Sequence, residues 1–301
     1  MGDSQMIERC GYVAIVGRPN VGKSTLMNHL IGQKISITSK KPQTTRNRII
    51  GVKTTGDTQI IYVDTPGVHK GGKKVINRMM NRTAMGSLAD VDVIAFVVEA
   101  GQWQEEDQVV LENIHTAKAP IILVINKIDK LADKSALLPF IQKVSALLDV
   151  HDTIPVSAFK GDNLESLEKS VAACLPQSPA IFEQDDLTDK SMRFLAAEIV
   201  REKLMRKLEK ELPYSVAVEI EEFKELPHIT NIAACIWVER NSQKGIVIGK
   251  QGQTLKAIGT HARQDLEKLL DGKVNLKLWV KVKEGWSENE RILRSLGIDE
   301  N

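Results

Sequence analysis

Apolar runs of strand length recur along the first 175 positions, at residues 12–16, 60–63, 91–98, 121–125 and 153–156, with helical patterns between them, the first over 25–30. Strands of this kind alternating with helices predict a doubly wound, mostly parallel sheet whose ligands sit at the carboxyl ends of the strands. Gly56-Asp57 joins the run 48–55 to the run 58–63, which predicts a hairpin and so one antiparallel edge. Leu175-Pro176-Gln177-Ser178-Pro179 interrupts the alternation, placing a first domain at 1–175, a linker at 176–189 and a second domain at 190–301. The second opens with a helix over about 188–211, where Met192, Leu195, Ala196, Ile199, Leu204 and Leu208 recur near the helical period. Two strand-like runs follow (214–223 and 229–240), then a short apolar segment (245–248), the turn Gly249-Lys250-Gln251-Gly252, a helix (about 254–270) and a last strand (274–283). This part is therefore α+β, in the order helix, strand, strand, helix, helix, strand.

At 301 residues and 42% apolar content the chain is long enough to fill two cores. Cys10, Cys174 and Cys235 are odd in number and lack ligand spacing, so neither a disulfide framework nor a zinc site is expected. With no apolar run approaching a membrane span and no signal-peptide core, the expectation is an intracellular enzyme. The net charge of +2 conceals an asymmetry: positions 240–283 hold ten Lys or Arg against three Asp or Glu. Around a Gly-x-x-Gly turn, such charge suits a nucleic-acid backbone, because glycines permit close approach and helix ends offer N–H groups. The candidate residues are Ile248, Gly249, Lys250, Gln251 and Gly252, with Lys244 and Lys256; the alternative is a solvated helix face. Trp237, Trp279 and Trp286 suit base stacking in type, although alternation along their strands favours core packing for the first two. Arg201, Lys203, Arg206, Lys207 and Lys210 crowd one helix end, where they complement the helix dipole or meet RNA or an anionic membrane surface.

The chemistry is densest in the first domain. Gly17-Arg18-Pro19-Asn20-Val21-Gly22-Lys23-Ser24, followed by Thr25, lies between a strand and a helix, the context of a phosphate-binding P-loop. Backbone N–H groups there converge on a β-phosphate, Lys23 reaches the β- and γ-phosphates, and the Ser24 hydroxyl suits Mg²⁺. Asp64-Thr65-Pro66-Gly67 follows another strand: Asp64 suits the metal through a water, and the Gly67 N–H suits the γ-phosphate. In the polar loop Gln43-Thr44-Thr45-Arg46 a threonine hydroxyl completes the metal shell, Thr45 being expected and Thr44 the alternative. Asn126-Lys127-Ile128-Asp129 places a carboxylate where it accepts from guanine N1–H and the exocyclic amine, donors that adenine lacks. Ser157 and Ala158 fit a last base-contacting loop.

The order GRPNVGKS, TTR, DTPG, NKID and SA resembles the small GTPase-like domains of the translation-factor class, and the second domain resembles a type II KH domain. With GRPNVGKSTL, GQKISITS, QTTRNRI, YVDTPGVH, EIVREKLM, ELPYSV, VIGKQG and LWVKVKEGW in place, nearly the whole chain resembles the Era-like ribosome-assembly GTPases of bacteria. The resemblance implies GTP hydrolysis with Mg²⁺, GTP-dependent binding to the 3′ end of the small-subunit ribosomal RNA during assembly of that subunit, a cytoplasmic place, and peripheral contact with the inner face of the membrane. Asn20 matches an asparagine that holds K⁺ near the β- and γ-phosphates in some GTPases of the wider class. Val68 stands where Ras-type domains carry the water-orienting glutamine, so intrinsic hydrolysis should be slow, with Lys23, Thr45, Gly67 and Asn20 left to act; His69 is a neighbouring substitute or a solvent-facing loop residue. A P-loop kinase is disfavoured by the NKID segment and the lack of an evident lid. The remaining alternative is an RNA-binding scaffold whose nearly inactive GTPase gates action on another RNA or at the membrane.

Overall fold

A computed structural model describes residues 7–39, 41, 43–67, 75–86, 88, 90–208 and 212–295. In the first domain, β1 (Arg9–Val16), α1 (Lys23–Ile31), β2 (Ile49–Thr55), β3 (Thr58–Asp64), α2 (Val75–Gly86), β4 (Val93–Glu99), α3 (Glu105–Ile114), β5 (Ile121–Asn126), α4 (Leu137–Ser145), β6 (Asp152–Pro155) and α5 (Leu164–Cys174) follow in turn. They form a six-stranded sheet in the order β2-β3-β1-β4-β5-β6. All its pairings are parallel except β2 with β3, the antiparallel edge that the Gly56-Asp57 turn predicts.

The central strands are apolar at successive positions because both faces are covered. Val13, Ile15, Tyr62 and Val97 pack on one side with Leu26, Met27 and Leu30 of α1 and Leu167 and Val171 of α5. Ala14, Val16, Phe96 and Val98 pack on the other with Val110, Leu111 and Ile114 of α3 and Val144 of α4. Burying each large side chain stabilises by about 1.5–3 kcal/mol, so the sheet is the rigid support on which the loops hang. Strand order reverses at β1, which has β3 on one side and β4 on the other. A crevice therefore opens beyond the carboxyl ends of β1 and β3, where the phosphate loop and Asp64 are found.

The proline-rich linker is a strap laid along the first domain. Gln59 Oε1 accepts from the N–H groups of Ile181 and Phe182 (2.9 Å each), its Nε2 donates to the Phe182 carbonyl (2.9 Å), and the Leu187 carbonyl accepts from the Val52 N–H (2.9 Å). The last of these bonds partly covers the edge strand β2.

The second domain contains α6 (Met192–Lys207), β7 (Val216–Leu226), β8 (Ile229–Val238), α7 (Asn241–Ile248), α8 (Gln253–Leu269), β9 (Val274–Val282) and α9 (Glu290–Ser295). Its sheet runs β7-β8-β9, with β7 antiparallel and β9 parallel to β8. The expected order of elements is present, but α7 starts four residues ahead of the apolar segment. Gln243 Oε1 accepts from the N–H groups of Glu239 (2.8 Å) and Arg240 (3.1 Å), tying down a polar first turn. Val200 and Leu204 of α6 share a core with Ala234, Ile236, Ile258 and Leu266.

A smaller cluster joins the domains: Ile76 and Met79 of α2 pack with Ala217, Trp286 and Leu293. Trp286 is fully buried there, and Trp237 lies against the same cluster with Nε1 donating to Glu219 Oε2 (2.8 Å). Lys281 sits 5.5 Å from the Trp237 ring centre and 5.9 Å from that of Trp279, so each of these half-buried rings carries a lysine. Among the described residues no helix is long and apolar enough to cross a membrane.

Candidate nucleotide and nucleic-acid sites

β1 delivers the chain at Gly17, and the loop turns through Asn20 (φ 65°) and Gly22 (φ 107°) before α1 begins at Lys23. Gly22 has no substitute, since a Cβ there would lie 2.4 Å from Asn126 Nδ2. The first N–H groups of α1, at Lys23, Ser24 and Thr25, have no partner within the helix and carry the positive end of its dipole. Lys23 Nζ donates to the carbonyls of Gly17 (2.8 Å) and Arg18 (3.0 Å), and burial lowers its pKa to about 8 against the opposing pull of Asp64. Val21 is in the core, Pro19 and Asn20 line the cleft, and Asn20 is exposed. The Arg18 side chain points away from the cleft: Nε donates to Asp107 Oδ2 (3.0 Å) and a terminal nitrogen to Glu99 Oε2 (3.3 Å), bracing the loop against α3 and β4.

Three oxygens meet beside this loop. The hydroxyls of Ser24 and Thr45 share a hydrogen bond (3.0 Å), and Thr45 also donates to Asp64 Oδ2 (3.3 Å). Thr44 turns elsewhere, its hydroxyl donating to the Lys41 carbonyl (2.6 Å). Asp64 is wholly buried; burial raises its pKa, opposed by Lys23 and by the hydroxyls of Ser36, Ser24 and Thr45. Its Oδ1 is buried without a protein partner, a costly arrangement for a carboxylate unless a cation or its bound water faces it. Oxygen-only donors with that orphaned atom fit Mg²⁺. Sequence reasoning assigned no role to Ser36, which donates to Asp64 Oδ2 at 2.7 Å. Asn28 of α1 places it by accepting from the N–H groups of Ile35 and Ser36 (2.9 Å each). The signals available were an asparagine three residues after a P-loop threonine and the place of Ser36 within the GQKISITS stretch. Thr65 ties the end of β3 to β1 through the Ile15 carbonyl (3.1 Å), Pro66 is buried, and Gly67 lines the cleft. Val68 and His69 lie outside the described residues.

Asn126, at the end of β5, joins three loops. Its Nδ2 donates to the Val21 carbonyl (2.7 Å), and its Oδ1 accepts from the N–H groups of Lys127 (2.7 Å) and Ala158 (2.9 Å). Lys127, at φ 66°, donates from Nζ to Glu99 Oε2 (2.7 Å). The Ser157 hydroxyl donates to Asp129 Oδ1 (2.6 Å) and so orients the carboxylate expected to read the base. Asn126, Lys127, Asp129 and Ala158 line a cleft of about 980 Å³ that also takes in the phosphate loop and residues of the 37–45 segment, with the exposed Phe159 and Arg206 of α6 at its rim. That volume suits a nucleotide.

The second candidate site is the turn between α7 and α8. Gly249 has φ 74°, and a Cβ there would lie 2.1 Å from Thr254 Oγ1; Gln251 (φ 54°) and Gly252 (φ 77°) are left-handed too. Lys250, Gln251 and Lys256 are exposed, Ile248 and Lys244 are half-buried, and Ile246 stands 58% exposed beside them. An apolar and basic surface thus flanks the N-terminus of α8. The basic end of α6 differs from the sequence expectation. Arg201 is buried and bonds to the Thr44 carbonyl and Arg206 bonds to Thr38, so both serve the contact with the first domain; Lys203 is buried against Glu202 and Asp265 of its own domain, Lys207 is exposed and Lys210 lies outside the described residues.

A phosphate loop, an acidic strand end and a base-reading loop on a doubly wound sheet, followed by a helix-turn-helix module with a glycine turn, define a P-loop GTPase joined to a KH domain. Residues 12–127 match the family described as 50S ribosome-binding GTPase, and residues 211–287 match the KH domain family. The chain is 57% identical over 289 residues to the GTPase Era of Pseudomonas fluorescens (strain Pf0-1), covering 96% of each protein. It is 56% identical over 289 residues to that of Pseudomonas aeruginosa (strain LESB58), covering 96% of this chain and 95% of the relative. Two solved structures align over 97% of this chain and 100% of theirs at 43% identity: an Aquifex aeolicus Era variant bound to GDP and aluminium fluoride (TM-score 0.93), and Era with MgGDPNP and nucleotides 1506–1542 of 16S ribosomal RNA (TM-score 0.94). The chain belongs to the Era family and is a GTPase.

Proposed function

We propose that the cleft binds GTP with Asp129 reading the guanine, the phosphate loop and Lys23 holding the β- and γ-phosphates, and Ser24, Thr45 and, through a water, Asp64 holding Mg²⁺. The observation that carries this reading is the meeting of Ser24, Thr45 and Asp64, with one Asp64 oxygen left buried and unpartnered. Mg²⁺ held by these three residues would supply positive charge to the γ-phosphoryl oxygens during transfer of that group to water. Lys23 adds a second positive charge, and the Gly67 N–H marks the presence of the γ-phosphate. With Val68 in place of a glutamine, turnover is slow, and Asn20, exposed at the cleft, holds K⁺ as a further cation. In the GTP state the turn from Ile248 to Gly252, with Lys244 and Lys256, binds the 3′ end of the small-subunit ribosomal RNA during assembly of that subunit. A solved Era structure holding both MgGDPNP and a 16S fragment supports this part of the reading. The work is cytoplasmic, and peripheral contact with the inner membrane is supported by the family resemblance alone.

Turnover of GTP measured in K⁺ and in Na⁺, each with and without an RNA of that 3′ sequence, tests the proposal. Slow hydrolysis that is faster in K⁺, with RNA bound more tightly beside a non-hydrolysable GTP analogue than beside GDP, is expected. RNA affinity independent of nucleotide would overturn the switch, and equal rates in both salts would remove the K⁺ role.

A further inference from the structure

Thr45 is pinned on both sides by the second domain. On one side the Arg201 guanidinium donates to the carbonyl of Thr44; on the other the Arg46 guanidinium donates to the Val216 carbonyl (2.8 Å). Arg201 is itself fixed by a forked pair of bonds to Glu198, Nε to Oε1 and a terminal nitrogen to Oε2, both 2.7 Å. Glu198, Arg201 and Arg46 are all buried, so this is an internal joint of the molecule. Seven residues upstream a second grip closes on Thr38. Glu202 Oε1 accepts its N–H (2.9 Å), and Arg206 donates to its carbonyl (3.1 Å). Glu202 is wholly buried and anchored in turn by Lys34 (2.6 Å) and Lys203 (2.9 Å).

At Thr38 and Thr44 α6 grips backbone groups, so what it recognises is the placement of the chain at Thr38 and at residues 44–46. In many GTPases such a segment is free to order and relax with the nucleotide. Here the placement that brings the Thr45 hydroxyl to Ser24 and Asp64 is the one in which α6 holds the flanking peptides.

We propose that α6 of the RNA-binding domain supplies positioning residues, Arg201 with Glu198 and Glu202, that hold Thr45 in its metal-ligating place, so that the second domain sets the metal dependence of GTP hydrolysis in the first. This rests on the reading of Thr45 as a metal ligand. Linkage then runs both ways: whatever moves α6 changes the affinity for Mg²⁺ with GTP, and Mg²⁺ with GTP stiffens the joint between the domains.

The test uses the full-length protein carrying Glu198→Gln and Arg201→Met together, which removes both charges of that pair, while the buried Arg46 keeps its bond to the Val216 carbonyl. GDP affinity should be unaltered, since the bonds of Glu198 and Arg201 run to each other and to the Thr44 carbonyl, not to the loops that hold a diphosphate and guanine. The Mg²⁺ concentration for half-maximal hydrolysis should rise about tenfold, with a fall in kcat at saturating GTP, as for loss of groups that orient metal ligands. Thr45→Ala is run in parallel. If Thr45→Ala leaves the Mg²⁺ dependence unmoved, the ligand assignment itself is wrong. If Thr45→Ala moves it while the folded double variant keeps the wild-type Mg²⁺ curve, the ligand stands and the positioning role is overturned. Should the double variant fail to fold, Glu202→Gln decides. It keeps an acceptor for the Thr38 N–H but weakens the anchor, so a smaller shift in the same direction supports the role and an unmoved curve overturns it.

Discussion

In the proposed reading Asp129 sets base selectivity, at the scale of a residue, through one atom type. Ser157 holds one carboxylate oxygen at 2.6 Å, and the group lines the cleft beside Asn126 and Lys127. Asp129→Asn exchanges an acceptor for a donor, which suits the C2 carbonyl of xanthine in place of the guanine amine. Affinity for GTP should fall by about a hundredfold or more while that for XTP rises, because a buried polar mismatch is costly. Competition binding with the two nucleotides reads the result, and GTP affinity kept near wild type would remove Asp129 from the role. The residues legible in the sequence at this scale are those whose chemistry demands a fixed type at a fixed spacing: Gly22, Lys23, Ser24, Asp64, Asn126 and Asp129. Ser36 and Asn28 were not legible, because a hydroxyl and an amide near a loop are common and only the fold brings Ser36 to Asp64 and Asn28 to Ser36. The direction of the Arg18 side chain was equally hidden, since its partners Glu99 and Asp107 lie more than eighty residues away.

At the scale of an element, α6 carries most of what the pattern concealed. Its apolar positions predict a helix with one buried stripe, yet Glu198, Arg201, Glu202 and Lys203 are buried as well. Their charges are matched by Lys34, Thr38 and Thr44 of the first domain and Asp265 of α8, partners distant in sequence that no periodicity reveals. Burial opposes ionisation of Glu202 and Asp265, but hydrogen bonds from Lys34 and Lys203 outweigh it, lowering both pKa values, that of Asp265 to about 2. Carboxylates with depressed folded-state values give stability that is present above their unfolded values, 3.8 for Asp and 4.5 for Glu, and is lost as pH falls toward about 2. Wild type should therefore lose urea resistance more steeply than Asp265→Asn as pH falls from about 5 to about 3. Unfolding midpoints across that interval check it, and parallel curves would mean that Asp265 gains nothing from its lysines. α7 makes a related point on a smaller scale: its first turn is polar, and only the reach of Gln243 back to two N–H groups shows where the helix begins.

For the whole molecule, two modules and their order were readable from composition and motif, whereas their contact was not. The joint consists of charged side chains on backbone carbonyls and of an apolar cluster linking α2 to Trp286 and Leu293, and neither leaves a local pattern. Lys250 and Gln251 lie outside both parts of that joint and are exposed, which allows the two activities to be separated. Changing both to Asp leaves Gly249 and Gly252 to keep the turn, and aspartate tolerates the left-handed φ of 54° at position 251 better than most residues do. One attractive charge is replaced by two repulsive ones where an RNA backbone would approach the N-terminus of α8. RNA binding should collapse, and the dependence of any residual affinity on salt should become shallower by about one unit of log–log slope, because a phosphate contact is gone. GTP hydrolysis without RNA should be unaltered, since the phosphate loop, Thr45 and the α6 grip are untouched. Fluorescence binding to single-stranded RNA, run beside phosphate release, reads both; unaltered RNA affinity would place the RNA elsewhere, and impaired hydrolysis without RNA would mean that the turn and the cleft communicate by a route other than α6.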